Sequence, residues 1–158
     1  MSMISLEQAN SRLARNQSVL AAMENVEIGK CLGRILAADI VSAINVPPAD
    51  NSAMDGYALL SEDWQGPDHG LEISQRSTAG NPPLPLKKGT AARIFTGAEV
   101  PPGADSVVMQ ENCRTDGDSV WMSEIREPGG NIRPMGQDIC KGATVLRAGH
   151  RLRPQDLG

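Results

Sequence analysis

Val107-Val108-Met109-Gln110-Glu111, the pair Asp116-Gly117 and then Ser119-Val120-Trp121-Met122 decide the fold of this chain. Apolar and β-branched residues flank an Asp-Gly pair, and Asp-Gly tolerates the positive φ of a type I′ turn, so the stretch predicts a β-hairpin. Working outward, Leu71-Glu72-Ile73 and Ala91, Arg93 and Phe95 alternate as further strands. Between residues 46 and 142 prolines and glycines are frequent, helical periodicity is absent, and short apolar runs alternate with turn clusters. That pattern predicts a small β-rich unit, barrel-like or sandwich-like.

The flanks read differently. Ser5-Leu6-Glu7-Gln8 has the form of a capping box, and Leu6, Ala9 and Leu13 recur at helical spacing, which predicts a helix from Ser5 to Arg15. A second amphipathic run covers residues 19–23, Val26-Glu27-Ile28 alternates like a strand, and the apolar run from Arg34 to Val41 reads mostly as strand. Near the end, Arg153-Pro154-Gln155-Asp156 has the proline and the acid of a first helical turn. A helix that starts with no body to follow leads us to expect the N-terminal part of a longer protein. The fold class expected is α+β and mostly β. An α/β segment, residues 1–43 and 142–158, receives an inserted β-rich domain at residues 44–141.

Composition removes several classes of function. The chain has 158 residues, 40% of them hydrophobic, enough for one good core or two small ones. Tyr57, Trp64, Phe95 and Trp121 are its only aromatic residues, so platforms for stacking bases are scarce. With 15 basic and 19 acidic side chains, the net charge of -4 gives no footprint for nucleic acid or for an anionic membrane. Cys31, Cys113 and Cys140 are odd in number and widely spaced, which argues against a disulfide framework or a zinc module and fits a reducing cytoplasm. His69 and His150 sit near no Ser or Cys in a nucleophile-like arrangement, which argues against Ser-His and Cys-His chemistry. No signal peptide or membrane anchor is read.

Three polar segments carry the chemistry. In Asp50-Asn51-Ser52-Ala53-Met54-Asp55-Gly56-Tyr57-Ala58, entered through Pro47-Pro48, two carboxylates, an amide and a hydroxyl stand on restrained backbone. These are also the ordinary residues of turns and side-chain caps. In Arg93-Ile94-Phe95-Thr96-Gly97-Ala98 a strand ends in Thr-Gly, offering a hydroxyl and backbone N–H groups to an anion. In Asn131-Ile132-Arg133-Pro134-Met135-Gly136-Gln137-Asp138, Arg133 suits a phosphate or carboxylate, and Asp138 suits a hard cation or an ion pair with Arg133. Asp50, Asp55, Glu111 and Asp138 are the acids to test against Mg²⁺, which takes oxygen ligands and often only one or two carboxylates.

Taken together, these segments, in this order, with Pro102-Gly103-Ala104-Asp105-Ser106-Val107-Val108 and the ending Leu152-Arg153-Pro154-Gln155-Asp156-Leu157-Gly158, resemble the molybdopterin molybdotransferase family. That family includes the bacterial MoeA proteins and the gephyrin E domain. Gln137 stands where an acid is common in it, and Ile132 where Val is common. The resemblance implies an elongated N-terminal α/β domain with an inserted β-rich domain, and a pterin-binding domain beyond residue 158. It implies an enzyme that inserts molybdenum from molybdate into adenylylated molybdopterin, with Mg²⁺ and release of AMP. It further implies a cytoplasmic homodimer with a shared active site, served by the adenylyltransferase that makes the substrate; the fragment alone is expected to be inactive. By motif position it marks Asp55, Thr96 and Asp138 as catalytic, Asp55 and Asp138 as metal-associated, and Ser52 and Arg133 as substrate-binding. Two other readings are a non-enzymatic dimerisation or scaffold module and a generic β-barrel ligand binder. The latter leaves the three polar segments coincidental.

Overall fold

The computed structural model describes residues 4–15, 18, 21–125 and 127–158. Among these residues one α-helix, α1 (Leu6–Arg15), precedes ten strands: β1 (Ile40–Val41), β2 (Asn51–Ser52), β3 (Gly56–Leu59), β4 (Leu71–Ser77), β5 (Thr90–Ile94), β6 (Ser106–Met109), β7 (Cys113–Asp116), β8 (Ser119–Met122), β9 (Ile132–Arg133) and β10 (Thr144–Leu146). The chain divides into two units, Met1–Asp39 with Arg147–Gly158, and Ile40–Leu146.

In the first unit α1 starts where the capping box places it. The Gln8 N–H donates to Ser5 Oγ at 3.2 Å and the Ser5 N–H to Gln8 Oε1 at 3.3 Å, so two otherwise orphaned donors are satisfied reciprocally. Part of the 19–23 run lies outside the described residues. Val26-Glu27-Ile28 is not a strand: it leads into a short 3-10 turn at Ile28–Lys30. Most of 34–41 is not strand either, since Ile35 bridges Arg151 and regular pairing begins only at β1, which belongs with its partner β10 to the second unit. Both stretches lack the continuous partner that a strand needs to satisfy its backbone. Pro154 opens a 3-10 turn over Pro154–Asp156, in which the Asp156 carboxylate accepts from the Arg153 N–H and side chain and pairs with His150 at 2.8 Å. The Arg153 hydrogen bond, and then that of His150, hold Asp156 well below the usual carboxylate range.

The second unit is built on a six-stranded sheet in the order β6-β3-β5-β4-β8-β7, curled as a half-barrel. Its central strand β3 is apolar and buried at every position because both faces of the sheet are covered there. Tyr57, Leu59, Leu71, Ala91, Val108, Val120 and Met122 pack on one face, and Ala58, Ala92, Ile94, Ala98, Val100 and Val107 on the other. Full burial of a Leu or Ile side chain such as Leu59 or Ile94 contributes about 1.5–3 kcal/mol. β3 and β6 approach so closely that a Cβ on Gly56 would lie 1.9 Å from the Val108 carbonyl oxygen, which is why glycine stands there.

The expected hairpin exists with a different first arm. β8 pairs with Cys113–Asp116, not with Val107–Met109, and β6 pairs with β3. The loop is Gly117-Asp118, and only Gly117 has positive φ (56°), so the turn is type II′ and not I′. A 3-10 turn at Gln110–Asn112 separates β6 from β7, so β7 can leave the line of β6. No helix among the described residues is long and apolar enough to cross a membrane.

Candidate functional site

The three polar segments are brought together. Residues 50–53 run between the other two as the middle of three extended segments. On one side the Ser52 N–H donates to Ala98 O (2.9 Å), the Gly97 N–H to Ser52 O (2.8 Å) and the Val100 N–H to Asp50 O (2.9 Å). On the other side β2 pairs with β9, Asn51 opposite Arg133 and Ser52 opposite Ile132, and the Ala53 N–H donates to Asn131 O (2.9 Å). Asp50 ties the third segment down by accepting the Met135 N–H at Oδ1, 2.7 Å.

Ser52 is 1% exposed, and its hydroxyl is used locally. Its Oγ accepts the Met54 N–H (3.3 Å) and donates to Met54 O, closing a tight turn. The hydrogen bonds of this side chain thus shape the loop that presents Asp55.

Beyond that turn Asp55 faces Thr96. Asp55 Oδ1 accepts the Thr96 N–H at 2.8 Å and the Thr96 Oγ1 hydroxyl at 2.7 Å. The backbone bond from Thr96, then its hydroxyl bond, and to a lesser extent the charge of Arg93 lower the Asp55 pKa from its ordinary value. Asp55 is therefore an anion at neutral pH. The N–H groups expected to be free at the strand end are occupied: Thr96 serves Asp55, Gly97 serves Ser52 and Ala98 serves Phe95. An anion nest is thus not preformed there. The Thr96 hydroxyl proton is likewise committed to Asp55, so it reaches an oxyanion only by giving up that bond.

Arg133 and Asp138 form an exposed pair, with Arg133 Nη2 donating to both Asp138 oxygens at 2.9 and 2.7 Å. Arg133 Nε donates to Gln137 Oε1 at 3.2 Å, so the amide at 137 supplies a neutral acceptor. Side chains 43% and 49% exposed make this pair worth only about 0–1 kcal/mol, weak enough for a ligand to compete for either partner.

Among the described residues no group of three or more His, Cys, Asp and Glu side chains is gathered to hold a metal ion. The donors fit Mg²⁺ only in the mode that uses one or two carboxylates with substrate oxygens. Asp55 suits that mode, since Thr96 engages only Oδ1 and leaves Oδ2 outside that contact, whereas Asp138 would have to share its oxygens with Arg133. Asp105 serves structure instead, accepting the Ser61 N–H and hydroxyl, each at 2.7 Å.

Arg93 is the residue that the sequence reasoning passed over. It donates to Gly56 O (3.0 Å) and Gln110 Oε1 (2.6 Å), stacks on Tyr57 and Phe95, and bears electrostatically on Asp55. The Gln110 N–H also donates to Asp55 O at 3.0 Å. Alternation of Arg93 and Phe95 along one strand was the available signal, because residues two apart share a face.

A mostly β module with one helix among its described residues, in which one polar segment pairs with two others and carries an anionic aspartate, is the class defined by this fold and site. The chain belongs to the MoeA N-terminal region (domain I and II) family, whose model matches residues 4–158. It is 41% identical over 159 residues to the molybdopterin molybdenumtransferase of Haemophilus influenzae, covering 98% of this chain and 39% of that protein. It is 37% identical over 150 residues to gephyrin of Dictyostelium discoideum, covering 86% of this chain and 21% of that one. A structure of the molybdopterin biosynthesis moeA protein of Pyrococcus horikoshii OT3 matches with a TM-score of 0.77 and 39% identity, over 85% of this chain and 37% of that one. A further structure, of a molybdopterin biosynthesis moea protein from Pyrococcus horikosii, matches with a TM-score of 0.84 and 34% identity, over 99% of this chain and 41% of that one. The chain thus spans about two fifths or less of the length of these relatives.

Proposed function

We propose that this chain supplies one side of the active site of an enzyme that transfers molybdenum from molybdate to adenylylated molybdopterin, with release of AMP. The reading is supported by membership of the family and by one observation above all: Asp55 is held as an anion by Thr96 at the end of the polar segment that pairs with the other two. Cleaving an adenylyl phosphate needs positioning and charge neutralisation more than a strong nucleophile, and carboxylates, a guanidinium and a hydroxyl are the groups for that work.

In this reading Asp55 is the principal catalytic carboxylate and Thr96 fixes its orientation. Arg133 binds an anionic part of the substrate, and Asp138 releases or retains it through their ion pair. Mg²⁺, when bound, neutralises phosphate charge, and Asp55 with Asp138 are the groups that would hold it. Ser52 acts by setting the turn before Asp55. The remainder of the site comes from a pterin-binding domain of a partner subunit in a cytoplasmic homodimer, and an adenylyltransferase hands over the substrate.

The test is molybdate-dependent AMP release from adenylylated molybdopterin with Mg²⁺, comparing the full-length parent with this 158-residue chain. The expected result is release by the parent only. No release by either would remove the enzyme reading and leave a structural module.

A further inference from the structure

β4 and β5 run parallel, with Ile73 opposite Ala91 and Gln75 opposite Ala92, so β4 advances two residues while β5 advances one. This bulge resets the faces. Without it Gln75 would continue the face of Leu71 and Ile73; with it Arg76 falls opposite Arg93, on the face that Arg93 shares with Phe95. The result is a row of alternating rings and guanidinium groups. Arg93 lies 5.1 Å from the Tyr57 ring centroid and 4.6 Å from that of Phe95, and Arg76 lies 4.6 Å from the same Phe95 ring.

Two cations opposite one another on neighbouring strands repel, and neither pairs with a carboxylate among the described residues. Arg93 spends two donors on neutral acceptors, while Arg76 makes no hydrogen bond or ion pair among the described residues and is exposed. Stacking on Phe95 holds Arg76 in place at little further cost in side-chain order, with its planar fork unused. The next residue after Phe95 is Thr96, so the row adjoins the Asp55–Thr96 contact.

We infer that Arg76, backed by Arg93 and Phe95, is a binding position for a phosphoryl group. A guanidinium fork matches two phosphate oxygens, and a dianion beside both arginines removes their mutual repulsion. Its assignment to a phosphate of the adenylylated pterin rests on the function proposed above; the position itself rests only on the geometry of the row.

The probe is inorganic pyrophosphate titrated into this chain and followed by ¹H–¹⁵N NMR of backbone amides and arginine Nε–H groups. Saturable shifts at Arg76, Arg93 and Phe95 are expected, with affinity weakened at least about tenfold in Arg76→Gln, the scale of losing one charge-assisted hydrogen bond. Arg114→Gln is the control, because Arg114 is also stacked, 4.5 Å from the Trp121 ring, with no second arginine over that ring among the described residues. Equal affinity in Arg76→Gln, or the same shifts at Arg114 as at Arg76, would overturn the position. In the full-length parent Arg76→Gln should raise KM for adenylylated molybdopterin and leave kcat nearly unchanged. Pyrophosphate binding with no AMP release from the parent would overturn only the substrate assignment, whereas turnover with KM and pyrophosphate affinity both unaltered by Arg76→Gln would overturn the position.

Discussion

Thr96 holds Asp55 by two hydrogen bonds to a single oxygen, from its N–H at 2.8 Å and from its hydroxyl at 2.7 Å. The pairing joins two segments forty-one residues apart and leaves the other oxygen of the carboxylate outside this contact. A charged acceptor with two donors is both oriented and kept ionised.

Thr96→Val removes the hydroxyl but keeps the N–H. The backbone bond is the larger influence on Asp55, so its pKa should rise only part of the way towards the ordinary value. Because the folded pKa is depressed, the stability that Asp55 contributes is present above the unfolded carboxylate pKa and is lost as pH falls through the folded one. Carboxyl-carbon NMR titration of both proteins checks this, and an unmoved Asp55 midpoint in Thr96→Val would show that the hydroxyl bond does not hold the carboxylate in solution.

Gly56→Ala tests the close approach of β3 and β6. A methyl 1.9 Å from the Val108 carbonyl oxygen must push backbone apart, and a loss of about 3 kcal/mol or more is expected by urea denaturation. Gly29→Ala, with no atom within 4 Å of its added Cβ, is the comparison and should stay within about 0.5 kcal/mol. Equal midpoints for the two variants would contradict the packing described.

Burial pushes the Cys113 thiol up to about 11, and its Sγ–H donates to Met109 O at 3.2 Å. At pH 8 only about one molecule in a thousand then carries the thiolate at this position. Iodoacetamide at that pH should modify exposed Cys140 well before Cys113, read by peptide mass spectrometry. Comparable rates would show that the Cys113 environment is open.

Much of this was legible in the residues. Ser5 and Gln8 announced the start of α1 because a capping box is a local device, complete within four positions. Leu71–Ile73 and Ala91–Phe95 announced β4 and β5 by alternation. The partner of β8 was not legible: Val107–Met109 and Cys113–Asp116 are both extended runs, and only the turn at Gln110–Asn112 assigns one to β3 and the other to β8. Pairing is non-local, and no feature inside a strand names its neighbour. Asp55 and Thr96 were visible as residues in polar segments, but their contact spans two loops. Arg76 was hidden more deeply, since simple alternation from Ile73 puts it on the opposite face and only the bulge brings it beside Arg93.

In the proposed enzyme Asp55 does the chemistry of this site. In the full-length parent, the rate of molybdate-dependent AMP release should fall at least about 100-fold in Asp55→Asn, a substitution that keeps the shape and removes the charge. A folded Asp55→Asn enzyme releasing AMP at the wild-type rate would contradict the account.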